Sequence, residues 1–167
     1  MKLRLGILIV SDRAASGERP DLTGPAIQQV VAEQGWQIMR QEVLPDELPL
    51  LRQVLLAWAD SKEIDIILTA GGTGFSPRAV TPEATLAVIQ RQAYGLAEAL
   101  RAASLALTPH AMLSRAVAGI RNQAIIINLP GSPTAAVENL RVVIPVLAHA
   151  VQLVHADPAA EAGHQAD

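Results

Sequence analysis

Three aliphatic runs constrain the fold most, because each is apolar at almost every position. They are residues 3–10 (LRLGILIV), 64–69 (IDIILT) and 123–129 (QAIIINL). A strand with near-continuous apolar character is buried on both faces, which is typical of a parallel sheet covered by helices. Segments with helical spacing lie between these runs. The sequence therefore predicts an α/β fold, a three-layer αβα sandwich with a mostly parallel central sheet.

Weaker signals place the other elements. Residues 36–43 and 115–120 are predicted to be strands. Helices are predicted over residues 25–34 and 95–107, and after the polar residues Asp46, Thr81 and Ser132, each of which is suited to cap a first turn. Proline follows both Thr81 and Ser132, at the first helical position. We expect one domain over residues 1–154 and a flexible tail over 155–167, which is small and polar.

Composition excludes several classes of function. The 167 residues carry a net charge of −3 and only 2% aromatic residues, so neither a basic surface nor a stacking platform for nucleic acid is expected. There is no cysteine, which excludes disulfides and thiolate metal sites and fits a cytoplasmic location. The four histidines are scattered, so no zinc site is indicated. The longest apolar stretch, 142–154, is too short and interrupted to span a bilayer, and no membrane partner is predicted.

Ligands of open parallel sheets bind beyond the carboxyl ends of the strands, and this rule selects the loops at 11–24, 69–81 and 128–133. The second of them contains Gly71, Gly72 and Gly74. It is not a P-loop, and Pro77 stands where a dinucleotide fingerprint would have its third glycine. Glycine lets backbone amides approach an anion closely, and the helix that follows adds a partial positive charge. The alternative is a tight turn that only needs positive φ.

The loop at 128–133 (NLPGSP) repeats this arrangement, with a Pro-Gly turn before a helix that begins after Ser132. Read alone, it is also typical of a structural turn. Two such loops at one edge of a sheet could hold two ends of one ligand. We therefore expect the amides of residues 71–74 and 128–132 to face a shared anion.

Other candidate residues have two interpretations each. Ser11 and Asp12 end a buried strand and either border the crevice or close a turn. Asp46 is either a helix cap or a metal-binding carboxylate. Glu83 complements a helix dipole if it has no ligand, and Arg115 is either solvated or holds a phosphate.

Five stretches together resemble the molybdopterin adenylyltransferase family, the MogA/MoaB group that includes the N-terminal domain of gephyrin. They are VSDRAASG (10–17), LPDE (44–47), LTAGGTG (68–74), PRAVTPEAT (77–85) and LSRAVAGIRNQAIIINLPGSP (113–133). The resemblance covers about residues 3–154. It implies a homotrimer that acts in molybdenum cofactor biosynthesis, joining AMP from ATP to the terminal phosphate of molybdopterin with Mg²⁺ and releasing pyrophosphate. A molybdenum-insertion protein would then receive the product.

The same resemblance implies roles for individual residues. The nucleotide- and phosphate-binding set comprises Thr69, Gly71, Gly72, Thr73, Gly74, Asn128, Pro130, Gly131 and Ser132. The substrate-binding set comprises Ser11, Asp12, Arg13, Glu83, Ser114 and Arg115. Asp46 matches a family acid linked to catalysis and metal binding.

Position 79 departs from the family pattern. The family reads Arg-Asp-Val-Thr-Pro there, with a catalytic aspartate, whereas this chain reads RAVTP with Ala79. Alanine offers no side-chain ligand to Mg²⁺. Three explanations stay open: an engineered inactivating change, a natural variant in which Asp46 or Glu83 suffices, or a carrier that binds the pterin without adenylylating it. An unrelated nucleotide-binding activity on the same fold is a further alternative.

Overall fold

The computed structural model describes residues 1–158 and residue 160. In this part of the chain, strands and helices alternate. The strands are β1 (Arg4–Val10), β2 (Gln37–Leu44), β3 (Ile66–Ala70), β4 (Arg91–Gln92), β5 (Ala118–Arg121) and β6 (Ala124–Leu129). The helices are α1 (Asp12–Ala15), α2 (Thr23–Glu33), α3 (Leu48–Asp60), α4 (Thr81–Leu86), α5 (Tyr94–Leu105) and α6 (Pro133–Val154), with a 3₁₀ helix at Pro109–Leu113.

The strands form one sheet in the order β2-β1-β3-β6-β5-β4. β2, β1, β3 and β6 run parallel, while β5 is antiparallel to β6 and β4 is antiparallel to β5. Ile9 pairs with Ala70, and Ala70 pairs with Leu129, so the three central strands end side by side. The predicted α/β fold with a mostly parallel sheet is confirmed, and the loops after β1, β3 and β6 leave from one edge.

Two apolar cores cover the two faces of the sheet. Alternate residues of β1 face opposite sides, so that Ile7 and Ile9 lie in one core and Leu8 in the other. Helices α2, α5 and α6 cover the first face, and α3 and α4 cover the second. The molecule therefore has the three layers that the aliphatic runs predict.

Helix α6 is the one helix of the described residues that is long and apolar enough to cross a membrane by length and composition. Its apolar residues have a role within the fold. Leu140, Leu147 and Val151 are fully buried in the first core, against the sheet and α2. The burial of this face accounts for part of the apolar composition of α6, while Val142, Val146 and Leu153 are exposed.

Three helix starts differ from the sequence prediction. Helix α2 begins at Thr23, not at residue 25, because the Asp21 carboxylate accepts hydrogen bonds from the backbone N–H groups of Thr23 (2.8 Å) and Gly24 (3.0 Å). The predicted Asp46 cap is wrong, since α3 begins at Leu48 with Glu47 at the N-cap position.

Thr81 is also not a cap. It is the first residue of α4, and its hydroxyl donates a hydrogen bond to the carbonyl oxygen of Gly71 at 2.8 Å. Helix α1, strand β4 and the 3₁₀ helix were not predicted, and each is five residues or shorter. Such short elements are set by tertiary contacts, because they carry too few residues for a periodic pattern.

The predicted tail falls partly outside the described residues, at 159 and 161–167. In its described part, the Nε2 atom of His155 lies 3.2 Å from the carbonyl oxygen of Gln123. Ala160 is buried. The flexibility of the tail stays a prediction.

Candidate active site

A cleft of about 730 Å³ lies at the edge where β1, β3 and β6 end. This volume is in the range of sites that bind small molecules and cofactors. Eight of the predicted site residues line it, from four separate loops: Ser11, Asp12, Arg13, Asp46, Gly71, Gly72, Gly131 and Ser132. The structure therefore brings together about half of the sequence-predicted set in one place.

The two glycine turns touch each other at this edge. The Gly71 N–H donates to the carbonyl oxygen of Leu129 at 3.2 Å, and a Cβ added to Gly131 would lie 3.2 Å from the Gly71 Cα. The hydroxyl of Thr23 donates to the Gly131 carbonyl at 2.8 Å and ties α2 to the second turn. The predicted meeting of the two turns is confirmed.

Gly71 and Gly72 are required by the backbone itself. Their φ angles are +106° and +63°, a region that residues with a Cβ rarely adopt. A Cβ at Gly71 would overlap the Val10 carbonyl, and one at Gly72 would lie 2.6 Å from the Asp46 Oδ1. The tight-turn interpretation is therefore correct, and it does not exclude a ligand.

The backbone N–H groups of the two turns differ in what they contact. The Gly71 N–H is paired inside the fold with Leu129 and the Asn128 N–H with Val117, so the expectation that these two amides face an anion is wrong. Pro130 has no N–H to offer. Within the described part of the chain, no acceptor contacts the N–H groups of Gly72, Thr73, Gly74, Gly131 and Ser132. These five donors are available to a ligand.

Two helices direct their N-termini toward the cleft. Ser132 precedes the 22-residue helix α6, and its side chain makes no capping hydrogen bond. Thr23, the first residue of α2, also lines the cleft, but the N–H groups of Thr23 and Gly24 are already paired with the Asp21 carboxylate. Because unpaired N–H groups give a helix N-terminus partial positive charge, the start of α6 favours an anionic ligand at this edge.

An acidic wall, formed by Asp12 and Asp46, lines the cleft beside Gly72. Asp12 Oδ1 accepts a hydrogen bond from the Asp46 backbone N–H at 3.0 Å, and Arg78 forms a two-point ion pair with Asp12 at 2.8 and 3.0 Å. The Arg78 hydrogen bonds, and then the Asp46 N–H, hold the pKa of Asp12 below its usual value. Burial, and then the charge of Asp12, raise the pKa of Asp46. The two carboxylates thus differ in how readily they ionise.

The donor set of this wall fits a magnesium ion that is shared with a substrate. Mg²⁺ is usually held by one or two carboxylates together with substrate phosphates, and oxygen is its preferred ligand. Asp46 and Asp12 supply such oxygens next to Gly72. No group of three or more metal-binding side chains occurs among residues 1–158 and 160, so an ion here would depend on the ligand for further oxygens.

Ala79 lies at the end of the glycine loop and is buried. Its N–H donates to Ser76, and its carbonyl oxygen accepts a hydrogen bond from Arg115 Nη2 at 2.6 Å. The backbone of Ala79 is therefore held at both its N–H and its carbonyl oxygen. Its methyl side chain provides no carboxylate.

Thr69 and Asn128 do not contact the cleft, which corrects their predicted role. Both are fully buried at the ends of β3 and β6. Asn128 Nδ2 donates to the hydroxyl oxygens of Thr69 and Thr85, each at 2.8 Å, and its Oδ1 accepts from the Val117 N–H. These side chains fix the two strand ends from which the glycine turns leave.

We expect Asn128→Ala to lower the free energy of unfolding by about 2–4 kcal/mol, because it leaves buried hydroxyls and one N–H without a partner. Urea denaturation measures this change. Gln90→Ala is the control, since that amide makes two hydrogen bonds, both to Asn122, but is exposed. A loss at Asn128 no larger than the loss at Gln90 would contradict the buried network.

The remaining predicted residues lie on the other side of the glycine loop. Thr73, Gly74, Ser114 and Pro130 line a second cleft of about 280 Å³, whose walls include Leu100 and Leu113. Arg115 and Glu83 form an ion pair, and this pairing lowers the pKa of Glu83. The predicted nucleotide and substrate sets are thus divided between two clefts, and each cleft contains members of both.

Three residues that shape the first cleft were not predicted from the sequence. Arg78 pairs with Asp12, Thr81 holds the Gly71 carbonyl, and Thr23 holds the Gly131 carbonyl. Arg78 and Thr81 fall inside the quoted stretch 77–85, but nothing in their spacing identifies their partners. Each of these contacts joins residues that are far apart in the chain.

Comparison with known proteins identifies relatives over nearly the whole chain. Residues 6–149 match the family described as "Probable molybdopterin binding domain". Gephyrin from Dictyostelium discoideum is 43% identical over 164 residues, 92% of this chain, but the chain spans only 23% of that relative's length. Molybdopterin adenylyltransferase from Helicobacter pylori strain J99 is 41% identical over 154 residues, 91% of this chain and 88% of the relative.

A solved structure has the same fold. The crystal structure of the molybdopterin biosynthesis enzyme MoaB from Thermus thermophilus is 49% identical to this chain, with a TM-score of 0.87. The match covers 93% of this chain and 98% of that one. The family match over residues 6–149 includes all the loops that form the cleft.

Proposed function

This chain belongs to the molybdopterin-binding domain family, and from that premise we propose that it acts in molybdenum cofactor biosynthesis as a molybdopterin adenylyltransferase. The reaction joins AMP from ATP to the terminal phosphate of molybdopterin and releases pyrophosphate. The observation that carries this proposal is the cleft itself, which is lined by amides without acceptors, by the N-terminus of α6 and by an acidic wall. Such a site suits a phosphate-bearing ligand that is accompanied by a cation.

The residues of the cleft would have different roles in phosphoryl transfer, a reaction that depends mainly on positioning the phosphates and neutralising their charge. The N–H groups of Gly72, Gly131 and Ser132 would bind phosphate oxygens and orient them. Asp46, with Asp12, would hold Mg²⁺, which neutralises phosphate charge when it is bound. The ion pair between Asp12 and Arg78 keeps the acidic wall in place before a ligand enters.

A second function is favoured by one observation, the missing carboxylate at Ala79. A chain that holds molybdopterin in the cleft but lacks this group would serve as a carrier or scaffold without adenylyl transfer. Both functions require pterin binding, and only the first requires turnover.

The assay that tests the proposal mixes the protein with molybdopterin, ATP and Mg²⁺ and measures adenylylated pterin and pyrophosphate. Calorimetry with molybdopterin alone is run beside it. Formation of both products supports the transferase. Pterin binding without products, in this chain and in its Ala79→Asp variant, supports the carrier, and ATP binding without pterin binding would contradict both.

The cellular location, the oligomeric state and the downstream partner are proposed from the family. We propose a cytoplasmic homotrimer that passes its product to a molybdenum-insertion protein. A sedimentation mass near that of a single 17.6 kDa chain would contradict the trimer.

Ligand binding should depend on pH through Asp46. Because burial and Asp12 raise the pKa of Asp46, this carboxyl takes up a proton at a higher pH than an ordinary aspartate and then no longer holds Mg²⁺. We expect the Mg²⁺-dependent part of AMP binding to be lost as the pH falls through that raised pKa. Calorimetry over a pH series measures it, and Asp46→Asn should remove the pH dependence.

The control for this experiment is Asp60→Asn. The pKa of Asp60 is lowered by Arg121, and the pair lies outside the cleft. An unchanged pH profile in Asp46→Asn would contradict the assignment.

A further inference from the structure

One arginine contacts the glycine loop at several points. The backbone N–H of Arg115 donates to the Thr73 carbonyl at 2.8 Å, and its Nε donates to the Gly74 carbonyl at 2.8 Å. Its Nη2 donates to the Ala79 carbonyl at 2.6 Å. The guanidinium also pairs with Glu83 in the first turn of α4. Both ends of segment 73–79 are thus attached to one residue.

Thr81 makes the equivalent contacts to the residues just before this segment. Its hydroxyl donates to the Gly71 carbonyl at 2.8 Å, and its N–H donates to the Gly72 carbonyl at 3.1 Å. The four successive carbonyls of residues 71–74 therefore all accept hydrogen bonds from either Thr81 or Arg115.

Fixing a carbonyl also fixes the next amide. In a planar trans peptide, the C=O of one residue and the N–H of the next point in opposite directions. Holding the carbonyls of residues 71–74 therefore turns the N–H groups of residues 72–75 away from Thr81 and Arg115. No acceptor contacts these four N–H groups within the described residues. A row of such amides is a typical anion-binding nest.

The segment that Arg115 holds carries two other features of the proposed reaction. Arg78, which pairs with Asp12, is part of it, and its last residue is Ala79, where the family has its aspartate. A shift of this segment would move the amides and both of these positions together.

We propose that Arg115 is a positioning residue, whose guanidinium holds the carbonyls of Gly74 and Ala79 and so fixes the part of the glycine loop that lies between the two clefts. Fixing this segment places the loop amides for the nucleotide phosphate, and Arg115 does not itself contact the pterin. The inference rests on the proposed function. Glu83 has a supporting role, since its carboxylate orients the guanidinium. Lysine cannot replace Arg115, because an ammonium lacks the planar fork that reaches two carbonyls and a carboxylate at once.

The test compares this chain with Arg115→Lys and with the control Arg121→Lys. Arg121 is matched to Arg115, because its guanidinium also binds a carboxylate, Asp60, and one backbone carbonyl, that of Val88, but it lies away from the glycine loop. Hydrogen exchange is followed for peptides that cover residues 72–80, in which the hydrogen-bonded N–H groups of Arg78 and Ala79 report movement of the segment. Calorimetry measures the affinity for AMP without metal and for molybdopterin. Thermal melting reports overall stability.

In Arg115→Lys we expect faster exchange in residues 72–80 and an AMP affinity that is weaker by about tenfold, with molybdopterin affinity within roughly threefold of the parent. The melting temperature should fall no further than in Arg121→Lys, whose exchange and affinities should be unchanged. In the Ala79→Asp background, Arg115→Lys should lower kcat/KM for ATP and leave the KM for molybdopterin unchanged.

Three results would overturn the proposal: unchanged exchange at residues 72–80, a loss of molybdopterin affinity as large as the loss for AMP, or equal effects in Arg121→Lys. Failure of the proposed function can be distinguished from failure of the inference about Arg115. If no version forms adenylylated pterin, the transferase is rejected, while the exchange and AMP measurements still decide the role of Arg115. If the parent chain does not bind AMP, exchange alone decides whether Arg115 holds the loop, and its role toward a nucleotide is rejected.

Discussion

Ala79→Asp is expected to raise the rate of adenylyl transfer by about 100-fold or more. A carboxylate that binds the metal or the reacting phosphates stabilises a transition state by a few kcal/mol, and each ~1.4 kcal/mol is tenfold in rate. The backbone at this position is already held by Ser76 and by Arg115. The new side chain would therefore be placed by an existing scaffold, and single-turnover kinetics with ATP and Mg²⁺ measures the gain.

Ala79→Asn is the control, because it has nearly the same shape as aspartate but carries no charge. We expect it to be no faster than the parent chain. A second control, Ala79→Asp combined with Asp46→Asn, should lose the gain if both carboxylates act on one metal. Equal rates for Ala79→Asp and the parent would show that this carboxylate is not what limits turnover, and the carrier function would then be favoured if pterin still binds.

The fold could be predicted because its signals are local. The aliphatic runs of β1, β3 and β6 are buried on both faces, and this pattern is visible without knowledge of any contact. The rule for carboxyl ends of parallel strands then placed the glycine turns together. The contact between Gly71 and Gly131 follows from topology alone.

The features that could not be predicted depend on contacts between segments that are distant in the sequence. Thr81 has the residue type of a cap, but its hydroxyl donates to the Gly71 carbonyl instead. Asp46 lies one residue before the N-cap position of α3, where its backbone N–H is held by Asp12. Asn128 lies near the end of a buried strand, where ligand-binding residues often occur, but burial against Thr69 and Thr85 assigns it to the interior. No sequence spacing encodes such partners.

The division of the site into two clefts has the same cause. Residues 71 and 72 face one cleft and residues 73 and 74 face the other, although the four are consecutive. The loop changes direction because side chains from further along the chain hold its carbonyls: Thr81 lies 10 residues after Gly71, and Arg115 lies 41 residues after Gly74. A motif therefore located the loop but not the orientation of its amides.

Gly71→Ala should have the largest effect on the fold among single changes in the cleft. Its φ of +106° is rarely adopted by a residue with a Cβ, and that Cβ would overlap the carbonyl of Val10, a backbone atom inside the sheet. We expect the free energy of unfolding to fall by about 3 kcal/mol or more, from backbone strain together with the overlap. AMP binding should be lost in the fraction that stays folded, since relief of the overlap moves the turn away from Gly131.

The control variant Gly35→Ala distinguishes the effect of backbone strain from the effect of steric overlap. Gly35 also has a positive φ, +67°, but a Cβ there meets no atom within 4 Å. Its substitution should therefore destabilise the fold by only about 1 kcal/mol, through the strain of the left-handed backbone, and leave AMP binding unchanged. Urea denaturation and calorimetry on the two variants measure both effects. If Gly71→Ala were no more destabilising than Gly35→Ala, the first turn would have room to move, and the close contact between the two glycine turns could not be what shapes the anion site.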